Sequence, residues 1–230
     1  LMAGLLTPTA GQVLVDGEDI DIGGLVGWNQ GSVSNSSADV DVDGKISNVG
    51  GLVGWNYGNI TDSHSTGNVN ASAIVGGLVG GDSGQVSDSY ATGDVNGGAW
   101  VGGLVGSMGW SSVSDSYATG NVNGVEYVGG LAGNSYERTN KVNDSHATGR
   151  VSGNRSVGGL IGKNRGSASG SHATGNVSGY SEVGGLIGIL DSGSAFNTSA
   201  TGNVDGTEFV GGLVGVNNGT VSNSCAAGNL

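Results

Sequence analysis

The side chains best suited to metal binding or nucleophilic attack are three histidines and one cysteine. His64, His146 and His172 occupy one position of a repeated block, and Cys225 occupies the same position near the end of the chain. A metal or catalytic site needs groups that converge on one point, and His64 and His146 lie three repeats apart. We therefore expect these residues to be structural, with no catalytic residue, no metal site and no cofactor.

A row of aspartates before a serine is the second candidate for chemistry. Asparagine replaces aspartate in the same row of other repeats, and the four aspartates are Asp62, Asp88, Asp115 and Asp144. Asp and Asn exchange freely where the side chain caps its own turn, so the row predicts Asx turns rather than calcium ligands. The stretch GGLIGKN around Lys163 superficially resembles a phosphate loop. Asn164 stands where that loop requires Ser or Thr, so we expect only a turn.

Aromatic side chains outside the apolar positions are a stronger functional signal. Trp28 and Trp55 hold the same loop position in adjacent repeats, and Trp110 lies in the longer loop of a later repeat. A further stripe is predicted to point outward, because its residues directly precede inward valines in three consecutive repeats: Ile74, Trp100 and Tyr127. Exposed contiguous aromatics usually mark contact surfaces for sugar rings or proteins. The alternative is that Trp28 and Trp55 merely fold over a corner.

The elements that must position these residues are internal repeats. GGLVG or a close variant recurs every 26 to 29 residues, beginning at Gly23, Gly50, Gly76, Gly102, Gly129, Gly158, Gly184 and Gly211. Three aliphatic positions recur in each unit, and glycine at this density would destroy helices. The sequence therefore predicts an all-β, parallel, right-handed, three-sided β-solenoid of about eight coils over residues 23–230. Residues 1–22 are predicted to form an N-terminal cap or partial coil.

Composition and charge exclude several classes of function. The net charge is −12 and the 7 basic residues are scattered, so no footprint for nucleic acid exists. No run of about 18 apolar residues is present, which predicts no membrane span. No nucleophile, base and orienting group recur at a workable spacing, so the chain is not expected to be an enzyme.

The repeat GGLVGWNYGNITDSHSTGNV resembles the GLUG repeat of bacterial and archaeal surface proteins, including regions flanking the metallopeptidase domain of immunoglobulin A-cleaving proteases. The similarity spans residues 23–230. It implies an extracellular or cell-surface adhesin or spacer that contacts glycan or protein on a host or neighbouring cell. It implies no protease activity, because HExxH is absent. Residues 1–20 resemble the segment after the phosphate-binding loop of ABC transporter ATPases, without the Gly-Lys-Ser/Thr signature.

A file of threonines supports an alternative function. Strand alternation predicts that one threonine per coil points outward, at Thr66, Thr92, Thr119, Thr148, Thr174 and Thr201. Beside it runs a file of mostly asparagine, and a flat Thr/Asn lattice resembles the ice-binding faces of some antifreeze solenoids. Arg150 interrupts the asparagine file. Leu230 falls on an apolar position, which predicts that the array continues or associates end to end there.

Overall fold

The chain forms a parallel β-solenoid of stacked coils. The computed structural model describes residues 11–14, 21–45 and 47–230, and within these ranges it contains strands and no helix. Each strand pairs in parallel with the equivalent strand of the coil above and below. The predicted solenoid of about eight coils is therefore confirmed. The three apolar runs recognised in the sequence resolve into five short strands per coil, which build five eight-stranded sheets.

The sheets are numbered here in the order in which the chain enters them. Sheet 1 contains Gly11–Leu14, Val40–Asp43, Val69–Asn70, Val95–Asn96, Val122–Asn123, Val151–Ser152, Val177–Ser178 and Val204–Asp205. Sheet 2 contains Ile22–Gly23, Val49–Gly50, Ala73–Gly76, Ala99–Gly102, Glu126–Gly129, Arg155–Gly158, Ser181–Gly184 and Glu208–Gly211. Sheet 3 contains Val26–Asn29, Val53–Asn56, Val79–Asp82, Val105–Met108, Ala132–Ser135, Ile161–Asn164, Ile187–Leu190 and Val214–Asn217.

The remaining two sheets are built from strands of three and of two residues. Sheet 4 contains Ser32–Ser34, Asn59–Thr61, Gln85–Ser87, Ser112–Ser114, Lys141–Asn143, Ser167–Ser169, Ser194–Phe196 and Thr220–Ser222. Sheet 5 contains Ser37–Ala38, His64–Ser65, Tyr90–Ala91, Tyr117–Ala118, His146–Ala147, His172–Ala173, Ser199–Ala200 and Cys225–Ala226. The bends between such short strands bring the chain around the coil.

Two separate apolar columns run along the rod. The larger column contains the leucine of every GGLVG block except the first, together with aliphatic or alanine side chains from sheets 3, 4 and 5, such as Leu78, Val86 and Ala91. The smaller column takes two valines per coil, such as Val95 and Val101. Full burial of a Val or Leu side chain contributes about 1.5–3 kcal/mol. Stacked small side chains therefore replace the large aromatic core of an ordinary domain.

The predicted core positions are less protected in the first and last coils. Leu25 is 50% exposed although its counterparts Leu52 and Leu78 are fully buried. Leu230, which the sequence assigns to an apolar row, is also exposed. A solenoid coil buries its side chains against the coils on both sides, so the first and last coils of the stack are less well covered.

Glycine is required at the bend between sheets 5 and 1 because the backbones of successive coils nearly touch there. A Cβ atom added to Gly93 would lie 2.0 Å from the carbonyl oxygen of Gly67 in the preceding coil. Backbone atoms cannot move aside as a side chain can. This close approach explains why glycine follows each threonine of the outward file.

Part of the N-terminal segment joins the solenoid. Gly11–Leu14 pairs in parallel with Val40–Asp43, which places these residues at the edge of sheet 1. The rest of the predicted N-terminal cap or partial coil lies largely outside the described residues, which exclude residues 1–10 and 15–20. In the described parts of the chain, no helix has the length and apolarity needed to cross a membrane.

Candidate functional site: an aromatic corner beside sheet 3

The first part of the candidate site is a group of three aromatic rings on two adjacent coils. Trp28 and Trp55 are register partners in sheet 3, and Tyr57 follows directly after that sheet. The Tyr57 ring lies 5.2 Å from that of Trp28 and 5.9 Å from that of Trp55, tilted by 35° and 38°. Trp28 is 50% exposed and Tyr57 49% exposed. Tilted rings at this separation attract one another, and much of their surface still faces solvent.

Two more rings extend this group along the rod. Trp110 and Tyr136 follow sheet 3 in later coils, and their rings meet edge to face at 6.4 Å and 81°. Trp110 is 68% exposed. Burial raises the pKa of Tyr136, and the negative charge of Glu137 raises it further. The N–H of Ser83 donates to Asn56 O and the N–H of Gly109 donates to Asp82 O, which stacks the chain beside Trp110 over the chain beside Tyr57. Together, Trp28, Trp55, Tyr57, Trp110 and Tyr136 are termed the aromatic corner.

Two glycines provide the space in which these rings lie. A Cβ atom on Gly81 would lie 2.3 Å from Cε3 of Trp55, so the indole ring covers the glycine of the next coil. The hydroxyl of Tyr136 covers Gly109 in the same way, because a Cβ atom there would overlap it. A side chain at either glycine would therefore displace an aromatic ring.

A buried polar ladder lies beneath the aromatic corner. Asn29 Nδ2 donates to Asn56 Oδ1 at 2.7 Å, and Asn56 Nδ2 donates to Asp82 Oδ1 at 2.8 Å. Ser111 Oγ donates to Asp82 Oδ2 at 2.6 Å. Asn29 follows Trp28, Asn56 separates Trp55 from Tyr57, and Ser111 follows Trp110. The ladder therefore holds the backbone beside four of the five rings, which pre-organises the surface.

Asx turns occur in this ladder. The backbone N–H groups of Gly31, Gly58 and Gly84 donate to the side-chain Oδ1 atoms two residues earlier. The row of aspartates for which the sequence predicted Asx turns lies elsewhere and has a left-handed backbone, with φ values of 49° at Asp62 and 51° at Asp88. Asp, Asn and Gly tolerate this left-handed conformation better than other residues do. Backbone conformation thus accounts for the residue types in that row.

Asp82 is the one carboxylate of the ladder and is 1% exposed. Burial raises its pKa from the ordinary value of 3.8 to about 6, while hydrogen bonds from Ser111, Asn56 and the N–H of Gly84 lower it. The effect of burial is the larger one, because the carboxylate loses more free energy of solvation than the three hydrogen bonds restore. The carboxylate has no route to a substrate, so its effect is on stability.

The structure separates the predicted aromatic stripe from the aromatic corner. The three stripe residues are half-buried within strands of sheet 2, and their φ values are 49° for Ile74, 56° for Trp100 and 52° for Tyr127. Ser156 and Glu182 share this conformation in later coils, so it belongs to the coil and not to a particular side chain. Lys163 Nζ lies 5.5 Å from the ring centre of Tyr127. Of the sequence-predicted contact residues, only Trp28 and Trp55 are thus brought into ring contact with Tyr57.

The predicted threonine file is exposed along its whole length. Thr66, Thr92, Thr119, Thr148, Thr174 and Thr201 all point to solvent. The neighbouring file lies beyond the glycine bend, and its side chains accept hydrogen bonds from the next coil. Asn68 Oδ1 accepts from the N–H of Asp94 at 2.9 Å, and Asp94 Oδ1 accepts from the N–H of Asn121 at 2.7 Å. The Asn and Asp side chains in this file therefore tie successive coils together.

The histidine position forms a continuous column of stacked rings. In chain order, the centroid distances are 4.6, 4.9, 5.1 and 4.9 Å along His64, Tyr90, Tyr117, His146 and His172, with interplanar angles of 10° or less. Burial lowers the pKa of His146, and the charge of His172 lowers it further. Parallel rings do not converge on one point. Within the described residues, no group of three or more His, Cys, Asp or Glu side chains is arranged to hold a metal ion.

Sequence reasoning missed Tyr57, Tyr136 and Asp82. Tyr57 lies two residues after Trp55, and Tyr136 lies in the longest loop of the array, so their proximity depends on how the corners fold. Asp82 is visible only by alignment of the coils, because asparagine occupies the equivalent register position at Asn29 and Asn56. The charge of Asp82, at a position where the two preceding coils have an amide, is the sequence feature that could have identified it.

Comparison with known families supports the repeat assignment. Three segments match the GLUG motif, at residues 20–43, 46–70 and 97–123. The proposed similarity of residues 1–20 to ABC transporter ATPases found no support. No curated protein and no solved structure matches the chain. The chain is thus a β-solenoid that carries GLUG-motif repeats.

Proposed function

We propose that this chain is a contact module of an extracellular surface protein, in the manner of an adhesin. The observation that carries the proposal is the aromatic corner, where Trp28, Tyr57 and Trp110 are between 49% and 68% exposed. Exposed aromatic groups of this kind usually mark binding surfaces. The GLUG motif supports a cell-surface location, since the family resemblance implies one.

Binding to intact cells tests this proposal. Fluorescently labelled protein is incubated with a panel of bacterial and epithelial cells, and the bound fraction is measured. The double variant Trp28→Ser/Trp110→Ser removes two exposed rings and should abolish binding, because contact energy is concentrated in a few aromatic anchors. The stripe variant Trp100→Ser/Tyr127→Ser tests the sequence-predicted surface in the same assay. If neither variant changes binding, the module acts as a spacer and the contact proposal fails.

We also propose that the module is not an enzyme. Asp82 is buried, and the histidine rings face one another along their column instead of converging on a substrate. Nucleophilic or acid–base catalysis needs groups within hydrogen-bond reach of a reacting atom. A hydrolase screen that detects turnover, abolished by His146→Ala, would contradict this proposal.

The exposed threonine file favours ice binding as the second candidate function. Thr119 lies near its centre, and every member points to solvent. The asparagine file does not share its face, because the chain bends at glycine between the two files. The unmodified protein should shape ice crystals at micromolar concentration if ice is the ligand, and Thr119→Leu should remove that effect. Absence of crystal shaping by the unmodified protein rejects this candidate.

A further inference from the structure

We infer that the aromatic corner binds a neutral linear polysaccharide whose sugar rings lie along the rod axis. The inference rests on the proposed contact function and specifies the class of ligand. Three properties of the corner carry it: the size of its exposed area, its charge and its extension over successive coils.

The exposed area is too small for a stable protein partner. Aromatic side chains have about 150–250 Å² of surface each, and Trp28, Tyr57 and Trp110 are 50%, 49% and 68% exposed. Together they offer roughly 250–400 Å² of aromatic surface. A stable protein interface buries about 800 Å² on each partner. The rings alone provide less than half of that area, so as the main contact surface they suit a narrow ligand better than a protein.

The charge of the chain favours neutral ligands over anionic ones. The sequence carries a net charge of −12. Beside Tyr136 lie Glu137 and Arg138 of its own loop and, in the next coil, Lys163 and Arg165, both of which pair with Asp191. The cations of the next coil are thus already engaged by a carboxylate, and an anionic glycan would be repelled by the acidic rod and would have to compete with Asp191 for them. A neutral glycan has no such cost.

Because the corner extends over several coils, it favours a polysaccharide chain over a single sugar. Trp28 lies in the first coil that contains a GGLVG block, Tyr57 in the second, Trp110 in the fourth and Tyr136 in the fifth. Coils are spaced by about 4.8 Å, so the rings extend over roughly 19 Å along the axis. Sugar rings present apolar C–H faces to aromatic rings, and their hydroxyls accept from indole N–H and phenol O–H groups.

The test is a titration with defined oligosaccharides, monitored by tryptophan fluorescence and calorimetry. The probes are a disaccharide and a hexasaccharide of β-linked glucose, the matching oligomers of N-acetylglucosamine, and an anionic hexamer of galacturonic acid. We expect a neutral hexamer to bind at least about tenfold more tightly than its disaccharide, because only the longer chain reaches rings on several coils. The anionic hexamer should bind more weakly than the neutral ones.

Variants locate the binding to the corner. Trp110→Ser should weaken hexamer binding by roughly tenfold or more, as expected for loss of an aromatic anchor. Phe196→Ser is the matched control, because Phe196 is 49% exposed and lies in sheet 4 of a later coil. Thermal unfolding of both variants checks that they are folded. The control variant should retain wild-type affinity.

The outcomes separate this inference from the function on which it rests. Equal affinity for disaccharide and hexamer, preference for the anionic hexamer, or equal effects of the two variants would overturn the polysaccharide inference. Absence of binding to every neutral oligomer would overturn it too. If Trp28→Ser/Trp110→Ser still abolished cell binding in that case, the contact function would stand with a different ligand. If no neutral oligomer bound and the double variant also left cell binding unchanged, the contact function itself would be rejected.

Discussion

Replacing Asp82 by asparagine should stabilise the solenoid above pH 6. Asparagine is nearly isosteric and occupies the same position in the coils of Asn29 and Asn56. Its Oδ1 keeps the hydrogen bonds from Asn56 and the Gly84 N–H, and its Nδ2 can donate to Ser111 Oγ. The variant therefore keeps the ladder and removes only the buried charge.

The magnitude follows from the pKa of Asp82. Burial raises it from 3.8 to about 6, and one pKa unit corresponds to about 1.4 kcal/mol. A carboxyl whose folded-state pKa is raised contributes stability below pH 4 that is lost as the pH rises to about 6. Charge on Asp82 therefore costs about 3 kcal/mol at pH 7.5. Asp82→Asn should recover about 1–3 kcal/mol of this, since the new amide also needs hydrogen-bond partners.

Urea unfolding at pH 4, 5, 6 and 7.5 measures this effect. Trp55 covers Gly81 and so reports by fluorescence on the coil that contains Asp82. The free-energy difference between variant and wild type cancels the titration of other carboxylates. Asp94→Asn is the matched control, because Asp94 is exposed in a file where asparagine is common, and its substitution should change stability by less than about 0.5 kcal/mol.

The stability difference should follow a specific pH dependence. The advantage of Asp82→Asn should be absent at pH 4, develop between pH 4 and 6 and be constant above pH 7. A variant that is destabilised at pH 7.5, or whose advantage is the same at every pH, would refute the assignment of a buried charge to Asp82.

Three further predictions test the packing of individual coils. Ser65→Ala should raise the thermal midpoint and stabilise by about 1 kcal/mol, because the buried Ser65 Oγ has no hydrogen-bond partner and every other coil has alanine there; a lower midpoint would contradict this. Gly93→Ala should destabilise by about 3 kcal/mol in urea unfolding, whereas Gly31→Ala should be tolerated, because its nearest neighbour is 4.0 Å away. His146→Tyr should make stability less sensitive to acid. The lowered pKa of His146 makes the folded state lose stability as the pH falls through 6.5, and an unchanged slope of midpoint against pH would contradict that.

The fold was predictable because every coil repeats the same constraints. Leucine after each glycine pair and valine before it mark the buried rows without reference to tertiary contacts, and both rows are buried, as at Leu104 and Val101. The number of sheets was not predictable from these rows. A strand of two residues such as Tyr90–Ala91 carries too little alternation to distinguish it from a turn.

The site was less predictable because it depends on departures from the repeat. Alternation correctly predicts the exposed threonines, each of which directly follows a strand of sheet 5. Strict alternation does not apply at Ile74 and Trp100, because their left-handed backbone conformation changes the direction of the neighbouring side chains. Tyr136 is harder still to place. Its loop is longer than those of other coils, so no register within the array specifies where the ring lies.

The relation between the polar ladder and the aromatic corner explains why function can be carried by a repetitive fold. A regular coil places identical residues in rows, which by itself gives a uniform surface. Asn29, Asn56 and Ser111 fix the backbone from inside, so that the adjacent outward position can change from Trp28 to Gly81 without loss of register. The interior thus holds the coils in place while the outer residues vary. A functional surface on such a rod is consequently expected where outer residues depart from the repeat above a buried ladder that holds the coils in register, as in the aromatic corner.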